Sequence, residues 1–379
     1  MPPSSSYPLF QGSSTDDENV LVLPDERVPL TASPGEADGP LARVSTLALG
    51  TTAHDLVLVG NLAYVATGPG MRIIDVSNAA APVLRDQVDI GSKILGIDVA
   101  DGYAYLASAT KDLKVVDVSN SATPVVVATK TFSGSTWDVA VKDSILYVAS
   151  FGGEIYVFDV SNPHQPVQRR VVGVPGWVSA GHDPANMTKL RNAVTSGGAK
   201  VTDVSIADDY LFAIDCNYGR VYAWDISVPD VPVFHGAHYA KFALRVEADL
   251  ARGTVYALGA LGGSSNIFSL PVSLLDPFVG TSYHTCAVCD ALAITAGNFG
   301  GLAIAEGVRY VVYIAGNVGS FDVLDVSNPS DMQKVATFPL GKFAIKTGDT
   351  LGVKTRGDNI FIAAGALGFQ IFSYPGLAD

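Results

Sequence analysis

Four short segments recur in the same order along this chain. In the first set, Asp55 to Val59 alternates apolar and polar positions, and Ala63-Tyr64-Val65-Ala66 is small and apolar throughout. Arg72-Ile73-Ile74 then runs into Asp75-Val76-Ser77-Asn78, and Pro82-Val83 opens the last segment. Alternation over such lengths, broken by Gly, Asn, Asp and Pro, predicts β-strands joined by tight turns. The second segment returns as Tyr105-Leu106-Ala107, Tyr147-Val148-Ala149, Phe212-Ala213-Ile214, Tyr256-Ala257-Leu258, Tyr313-Ile314-Ala315 and Phe361-Ile362-Ala363, which makes seven sets.

The turn after the third segment fixes the period. Asp75-Val76-Ser77-Asn78 is followed by Asp117-Val118-Ser119-Asn120 after 42 residues and by Asp159-Val160-Ser161-Asn162-Pro163 after another 42, with later copies at Asp225-Ile226-Ser227 and Asp325-Val326-Ser327-Asn328-Pro329. That spacing is one four-stranded blade of a β-propeller. Two sets lack the aspartate, reading Ile267-Phe268-Ser269 and Ile371-Phe372-Ser373. The chain is therefore expected to be an all-β, seven-bladed propeller of four-stranded blades. Arg43 to Gly50 reads like Lys334 to Gly341, the outer strand of the sixth blade, while the seventh blade stops near Tyr374. The N-terminal strand is expected to complete the last blade and remove the open edge.

The repeat, with its Ala-Tyr-Val-Ala strand, its Ile-Ile-Asp-Val-Ser-Asn strand and the proline that follows, resembles the LVIVD repeat of bacterial and archaeal propellers. The likeness covers about residues 41 to 376, strongly in blades one to three and six and weakly in five and seven. It implies the fold and a tendency towards export to the periplasm, the cell surface or beyond. It carries no catalytic residues. No positively charged start followed by an apolar stretch precedes the repeats, so the sequence itself leaves a cytoplasmic location open.

Residues 1–40 differ in kind, with serines, prolines and acids and little to bury, and read as a flexible acidic tail ahead of one propeller at 41–379. Across 379 residues, 48% are hydrophobic and 16% charged, and the net charge is −13. The negative charge makes nucleic acid an unlikely partner. No uncharged apolar run is long enough to span a membrane. Three cysteines exclude a disulfide framework. A single-chain monomer is expected.

The repeated aspartates read as turn residues, because a carboxylate ending a strand accepts backbone N–H groups of the turn it enters. Function is sought instead where the blades differ. The spacing exceeds one period by 24 residues between Asp159 and Asp225 and by 14 between Ser269 and Asp325. These excesses predict lid-like insertions at about 174–199 and 277–300, both placed in loops entering an innermost strand. Alignment of the blades brings His54-Asp55, Leu95-Gly96, Trp137-Asp138 and Thr202-Asp203 into register at the innermost-strand starts, followed by Arg245 or Glu247. Loops on the same face add Asp215, Cys216, Tyr218 and Arg220, and the insertions add His182 and His284. One reading is a recognition site for a small molecule or protein segment, held by Trp137, Thr202, Asp215, Tyr218, Arg220 and Arg245. The alternative is hydrolase- or lyase-type acid–base catalysis by His54, His182 or His284 with Asp55, Asp138 or Asp203. The carboxylates favour a cationic, amine-bearing or hydroxyl-rich ligand over a phosphate. A metal is a further candidate, either calcium on carboxylates or zinc at His284, Cys286 and Cys289. Cys286 and Cys289 fit a local disulfide or free thiols as well.

Overall fold

A computed structural model describes residues 41–173, 200–216, 219–239, 243–261, 264–271, 291–295, 300–307, 309–315, 320–340 and 351–378. These residues form seven four-stranded antiparallel sheets. From the innermost strand outward, blade 1 is Ala53–Val59, Leu62–Thr67, Gly70–Asp75 and Val83–Asp89, and blade 2 is Ile94–Ala100, Tyr103–Ser108, Asp112–Asp117 and Val125–Thr131. Blade 3 is Thr136–Lys142, Ile145–Ser150, Glu154–Asp159 and Val167–Gly173, and blade 4 is Val201–Ala207, Tyr210–Asp215, Arg220–Asp225 and Val233–Tyr239. Blade 5 is Ala243–Asp249, Thr254–Leu261, Ser264–Pro271 and Ala291–Thr295, and blade 6 is Leu302–Ile304, Tyr310–Ala315, Ser320–Asp325 and Gln333–Pro339. In blade 7 the strands Gly352–Arg356, Asn359–Ala363 and Phe369–Ser373 are completed by Ala42–Leu47, which pairs from Ala42 opposite Ser373 to Leu47 opposite Phe369. The closure expected from the sequence is observed.

Blades stack face to face, so their second and third strands are apolar on both sides. Ala63, Val65 and Ala66 have no exposed surface and Tyr64 almost none. Seven apolar clusters fill the seven gaps between blades. One joins Tyr64, Ile73 and Met71 to Ile97 and Leu106, and another joins Phe361, Phe369 and Ile371 to Ala53, Leu56 and Val65, where the last blade meets the first.

The Asp-Val-Ser-Asn turn is structural in every copy. Asp75, Asp117, Asp159, Asp225 and Asp325 each accept the backbone N–H two residues on, at 2.8–2.9 Å. The following Val76, Val118, Val160, Ile226 and Val326 are buried. Their N–H groups are bonded to carbonyls of the preceding turn in the same blade, at 2.7–2.8 Å. Arg85, Arg169 and Arg309 pair with the same aspartates in three blades.

One expectation is corrected. Residues 291–295, read as part of an insertion entering the innermost strand of blade 6, are the outer strand of blade 5, with Ser264 opposite Thr295 and Phe268 opposite Ala291. The third strand of that blade needs a partner along its free edge, and Ala-Leu-Ala-Ile-Thr supplies it. The extra length therefore falls between the third and outer strands, and it leaves the sheet at Pro271, opposite Thr254. That is the end where innermost strands finish, called here the lower face, whereas they start on the upper face. His284, Cys286 and Cys289 lie outside the described residues. So do residues 174–199 with His182, although their flanks, Gly173 and Val201, both stand at the upper face as expected.

Candidate functional site

The innermost strands of blades 1 to 5 all begin with the same irregularity. Pairing slips by one residue between Ala53 and Asp55, Ile94 and Gly96, Thr136 and Asp138, Val201 and Asp203, and Ala243 and Arg245. Each is a β-bulge, which re-aims side chains at the end of a strand. In four of these five blades the residue after the slip lines the axis, so Asp55, Asp138, Asp203 and Arg245, with Gly301 and Gly352, surround one channel of about 350 Å³. Two residues further along, Asp98, Ser205, Glu247 and Lys354 form a second charged ring in the same channel.

The carboxylates tie neighbouring blades together. Asp55 accepts the N–H of Ile97 at 3.2 Å, Asp138 that of Val204 at 3.1 Å and Asp203 that of Val246 at 2.7 Å. Asp98 does the same from the second ring, accepting the N–H of Val141 at 2.8 Å. Arg245 continues the circle: its Nη1 donates to Asp203 Oδ1 at 2.5 Å and its Nε to the Gly300 carbonyl at 3.3 Å. Asp138 Oδ2 lies 3.9 Å from the same guanidinium. In the second ring Glu247 accepts from Ser205 Oγ at 3.0 Å and from Lys354 Nζ at 3.2 Å, a bond that links blade 5 to blade 7.

Burial sets the protonation of this network. It pushes Asp138 well above the usual carboxylate range, reinforced by the charge of Asp203. It raises Asp55 against the opposing charges of Arg245 and Lys354. Asp98 is pushed up to about 6, again by burial, with the Val141 and Val99 N–H groups opposing. Burial pulls Arg245 down, but Asp203, Asp55 and Asp138 outweigh it and the net shift is upward. Glu247 raises Lys354. Two carboxyl groups, Asp138 and Asp203, thus share a site in which one is strongly biased towards its protonated form.

His54 does not reach the channel. The bulge turns it into the body of the blade, where it is 1% exposed and its Nε2 lies 3.1 Å from Thr52 Oγ1. Thr202, at the equivalent place in the bulge of blade 4, is also buried. Trp137 is half-buried at the upper face and stacks on Phe151, with ring centroids 5.1 Å apart and planes at 16°. Lys200 Nζ caps the other side of Phe151 at 3.7 Å. Beside this stack, buried Asp215 accepts the Lys200 N–H at 3.0 Å and pairs in register with Arg220. Cys216 follows, its thiol pushed up to about 11, by burial first and Asp215 second, which keeps it from acting as a thiolate near neutral pH. Tyr218 lies outside the described residues. The structure therefore gathers Asp55, Asp138, Asp203 and Arg245 in the channel, and Trp137, Asp215 and Arg220 above blades 3 and 4.

Five participants escaped the sequence reading: Asp98, Ser205, Lys354, Phe151 and Lys200. Asp98 and Lys354 stand two residues after Gly96 and Gly352, and following one face of each strand for a second step would have found them. Among the described residues, no group of three or more His, Cys, Asp or Glu side chains is arranged to hold a metal ion.

Comparison with known proteins agrees with this architecture. The LVIVD repeat model matches residues 50–90, 94–130, 133–170 and 309–338. No curated protein matches the chain by sequence. Among solved structures, the β-propeller domain of Cps50 (Swd1) from Myceliophteria thermophila is similar with a TM-score of 0.61 at 11% identity, covering 88% of this chain and 99% of that one. The computationally designed Ika8 protein is similar with a TM-score of 0.53 at 12% identity and the same coverage. At such identities the likeness concerns the fold alone.

Proposed function

We propose a binding role for this chain, which belongs to the LVIVD-repeat β-propellers. The upper face around blades 3 to 5, together with the channel below it, serves as a recognition site for a small molecule or a protein segment. One observation carries this reading. The stack of Lys200, Phe151 and Trp137 and the polar groups Asp138, Asp203 and Arg245 occupy neighbouring blades on a scaffold whose remaining turns repeat. A half-buried Trp on blade 3 and a buried Arg on blade 5 are residue types that anchor interfaces. Screening defined sets of primary amines, polyols, carboxylates and short peptides against wild type and Trp137→Ala tests it. At least one binder should lose tenfold or more in affinity, about 1.4 kcal/mol, in the variant. A set of binders all indifferent to Trp137→Ala and to Asp55→Asn refutes the assignment.

A second reading keeps the same channel but makes it catalytic. The Asp138–Asp203 pair favours it, because burial biases Asp138 towards its protonated form beside a second carboxyl group, and such a bias suits a general acid. In hydrolase- or lyase-type chemistry Asp138 would donate the proton. Any turnover found should then collapse in Asp138→Asn, and a rate unchanged by that substitution rejects this role.

A further inference from the structure

Most polar groups in the channel have their partners within the ring, and the exceptions define a ligand. Arg245 is 9% exposed. Its Nη1 and Nε are held by the flanking blades, while Nη2, at the tip of the fork, has no hydrogen-bond partner among the described residues. A buried guanidinium N–H without an acceptor costs free energy that a ligand oxygen would recover. In the second ring the Lys354 and Glu247 side chains keep 39% and 25% of their surface accessible, so both reach open space in the channel. The channel lining holds five carboxyl groups, Asp55, Asp98, Asp138, Asp203 and Glu247, and three cations, Arg245 and Lys354 in the rings and Lys142 beyond them. The space is about 350 Å³, at the small end of ligand pockets.

From this geometry, and resting on the binding role proposed above, we infer that the channel takes a small basic zwitterion, with free lysine as its simplest member. The ligand's carboxylate accepts from Arg245 Nη2 in the first ring, beside which Asp55 and Asp138 receive its α-ammonium. The rings lie two residues apart on extended strands, about 6.6 Å. A four-carbon stem spans that distance and delivers the terminal ammonium to Glu247 and Asp98. A dianionic solute brings a second negative charge against Glu247 and is rejected; a polyol offers no charge to Arg245 or to Glu247.

Isothermal titration of the full-length protein with lysine, glycine, putrescine, sorbitol and glutamate tests this. Lysine should bind saturably with Kd of about 1 mM or tighter. Glycine, which lacks the distal ammonium, and putrescine, which lacks the carboxylate, should each bind at least tenfold more weakly. Glu247→Gln, a change at a partly exposed group that leaves the first ring intact, should weaken lysine tenfold without altering the far-ultraviolet circular dichroism. Saturable binding of sorbitol or glutamate with none of lysine overturns the ligand class but leaves the channel as a binding site. If none of the five binds, the inference falls, and the binding role itself falls only if the wider screen also yields no binder sensitive to Trp137→Ala or to Asp55→Asn. Lysine binding that Glu247→Gln does not change places the ligand elsewhere and also overturns the inference.

Discussion

Replacing Asp203 with Ala should be among the most damaging single changes in this propeller. Asp203 is 4% exposed and makes two contacts to the next blade, accepting the Val246 N–H at 2.7 Å and the Arg245 Nη1–H at 2.5 Å. Truncation leaves a buried guanidinium without its nearest counter-charge and a buried backbone N–H without an acceptor. Breaking one side of a buried ion pair costs about 3–5 kcal/mol, and an orphaned backbone donor about 1–3 kcal/mol. The two do not simply add, because Asp138 Oδ2 at 3.9 Å takes over part of the electrostatic role once its like-charged neighbour is gone. The expected loss is therefore about 3–4 kcal/mol. Asp203→Asn keeps an oxygen for Val246 and should lose less, about 1–2 kcal/mol. The control is Asp209→Ala, whose 63% exposed carboxylate meets Lys142 at 2.7 Å on the surface, with an effect under ~0.5 kcal/mol. Urea unfolding followed by the fluorescence of Trp224, which is buried in blade 4, reads all three. An Asp203→Ala midpoint that moves no further than that of Asp209→Ala would falsify the claim that the channel carboxylates bind blade to blade.

Three further outcomes follow from the same contacts. Asp55, Asp98 and Asp138 have raised pKa values, so the folded state holds protons that the unfolded chain releases; their contribution is complete below about pH 4 and is lost as pH rises through the raised values, which for Asp98 is about 6. The turn aspartates act oppositely: hydrogen bonds from Ser161 and Arg169 lower Asp159 to about 2, so its contribution is present above about pH 4 and lost on further acidification. Melting temperature should thus peak in mild acid and fall between about pH 5 and 8, with Asp98→Asn flattening the fall; a profile that rises over that range contradicts the assignment. Gly96→Ala would put a Cβ 2.3 Å from Asp138 Oδ1, 2.6 Å from Asp138 Cα and 2.8 Å from the Trp137 carbonyl, and should cost about 1–3 kcal/mol in urea unfolding; a neutral result would show that blades 2 and 3 can part. Deleting residues 1–49 removes the strand Ala42–Leu47 and bares the edge of Phe369–Ser373, so the truncated chain should aggregate on size exclusion, and a monomer with the full-length melting temperature would disprove the latch.

The parts of this molecule legible in its sequence are those that repeat. A 42-residue period, the aspartate that ends each third strand and the valine buried behind it are local requirements met in successive blades, so spacing alone reveals them. What depends on a single blade was read less well. Counting residues found an excess of 14 before Asp325 but could not say which loop held it, because Ala291–Thr295 is too short to declare itself as a strand without its partner. The bulges were invisible for a related reason. Period-two alternation assigns His54 and Asp55 to opposite faces, but only the slipped pairing decides that Asp55 takes the axis and His54 the blade interior.

The composition of the channel then follows a rule that no one blade displays. Blades 1 and 3 place Asp55 and Asp138 in the first ring and apolar Val57 and Ala140 in the second, whereas blades 2 and 7 have Gly96 and Gly352 first and Asp98 and Lys354 second. The glycines sit where a Cβ would strike the next blade's backbone, within 2.6 Å at Gly96 and 2.7 Å at Gly352. Blades 2 and 7, which approach their neighbours too closely for a first-ring side chain, therefore send a charged group from one step further along, whereas blade 6, with Gly301 and Ala303, sends none. Asp98 does this by accepting the N–H of Val141, one residue beyond the second-ring position of blade 3, as Asp55 accepts that of Ile97, one residue beyond the first-ring position of blade 2. Blades 4 and 5 alone carry polar groups in both rings, Asp203 with Ser205 and Arg245 with Glu247. The ring thus concentrates its hydrogen-bonding capacity on one side of the axis, next to the Trp137 stack, and a ligand that engages both rings is drawn to that side.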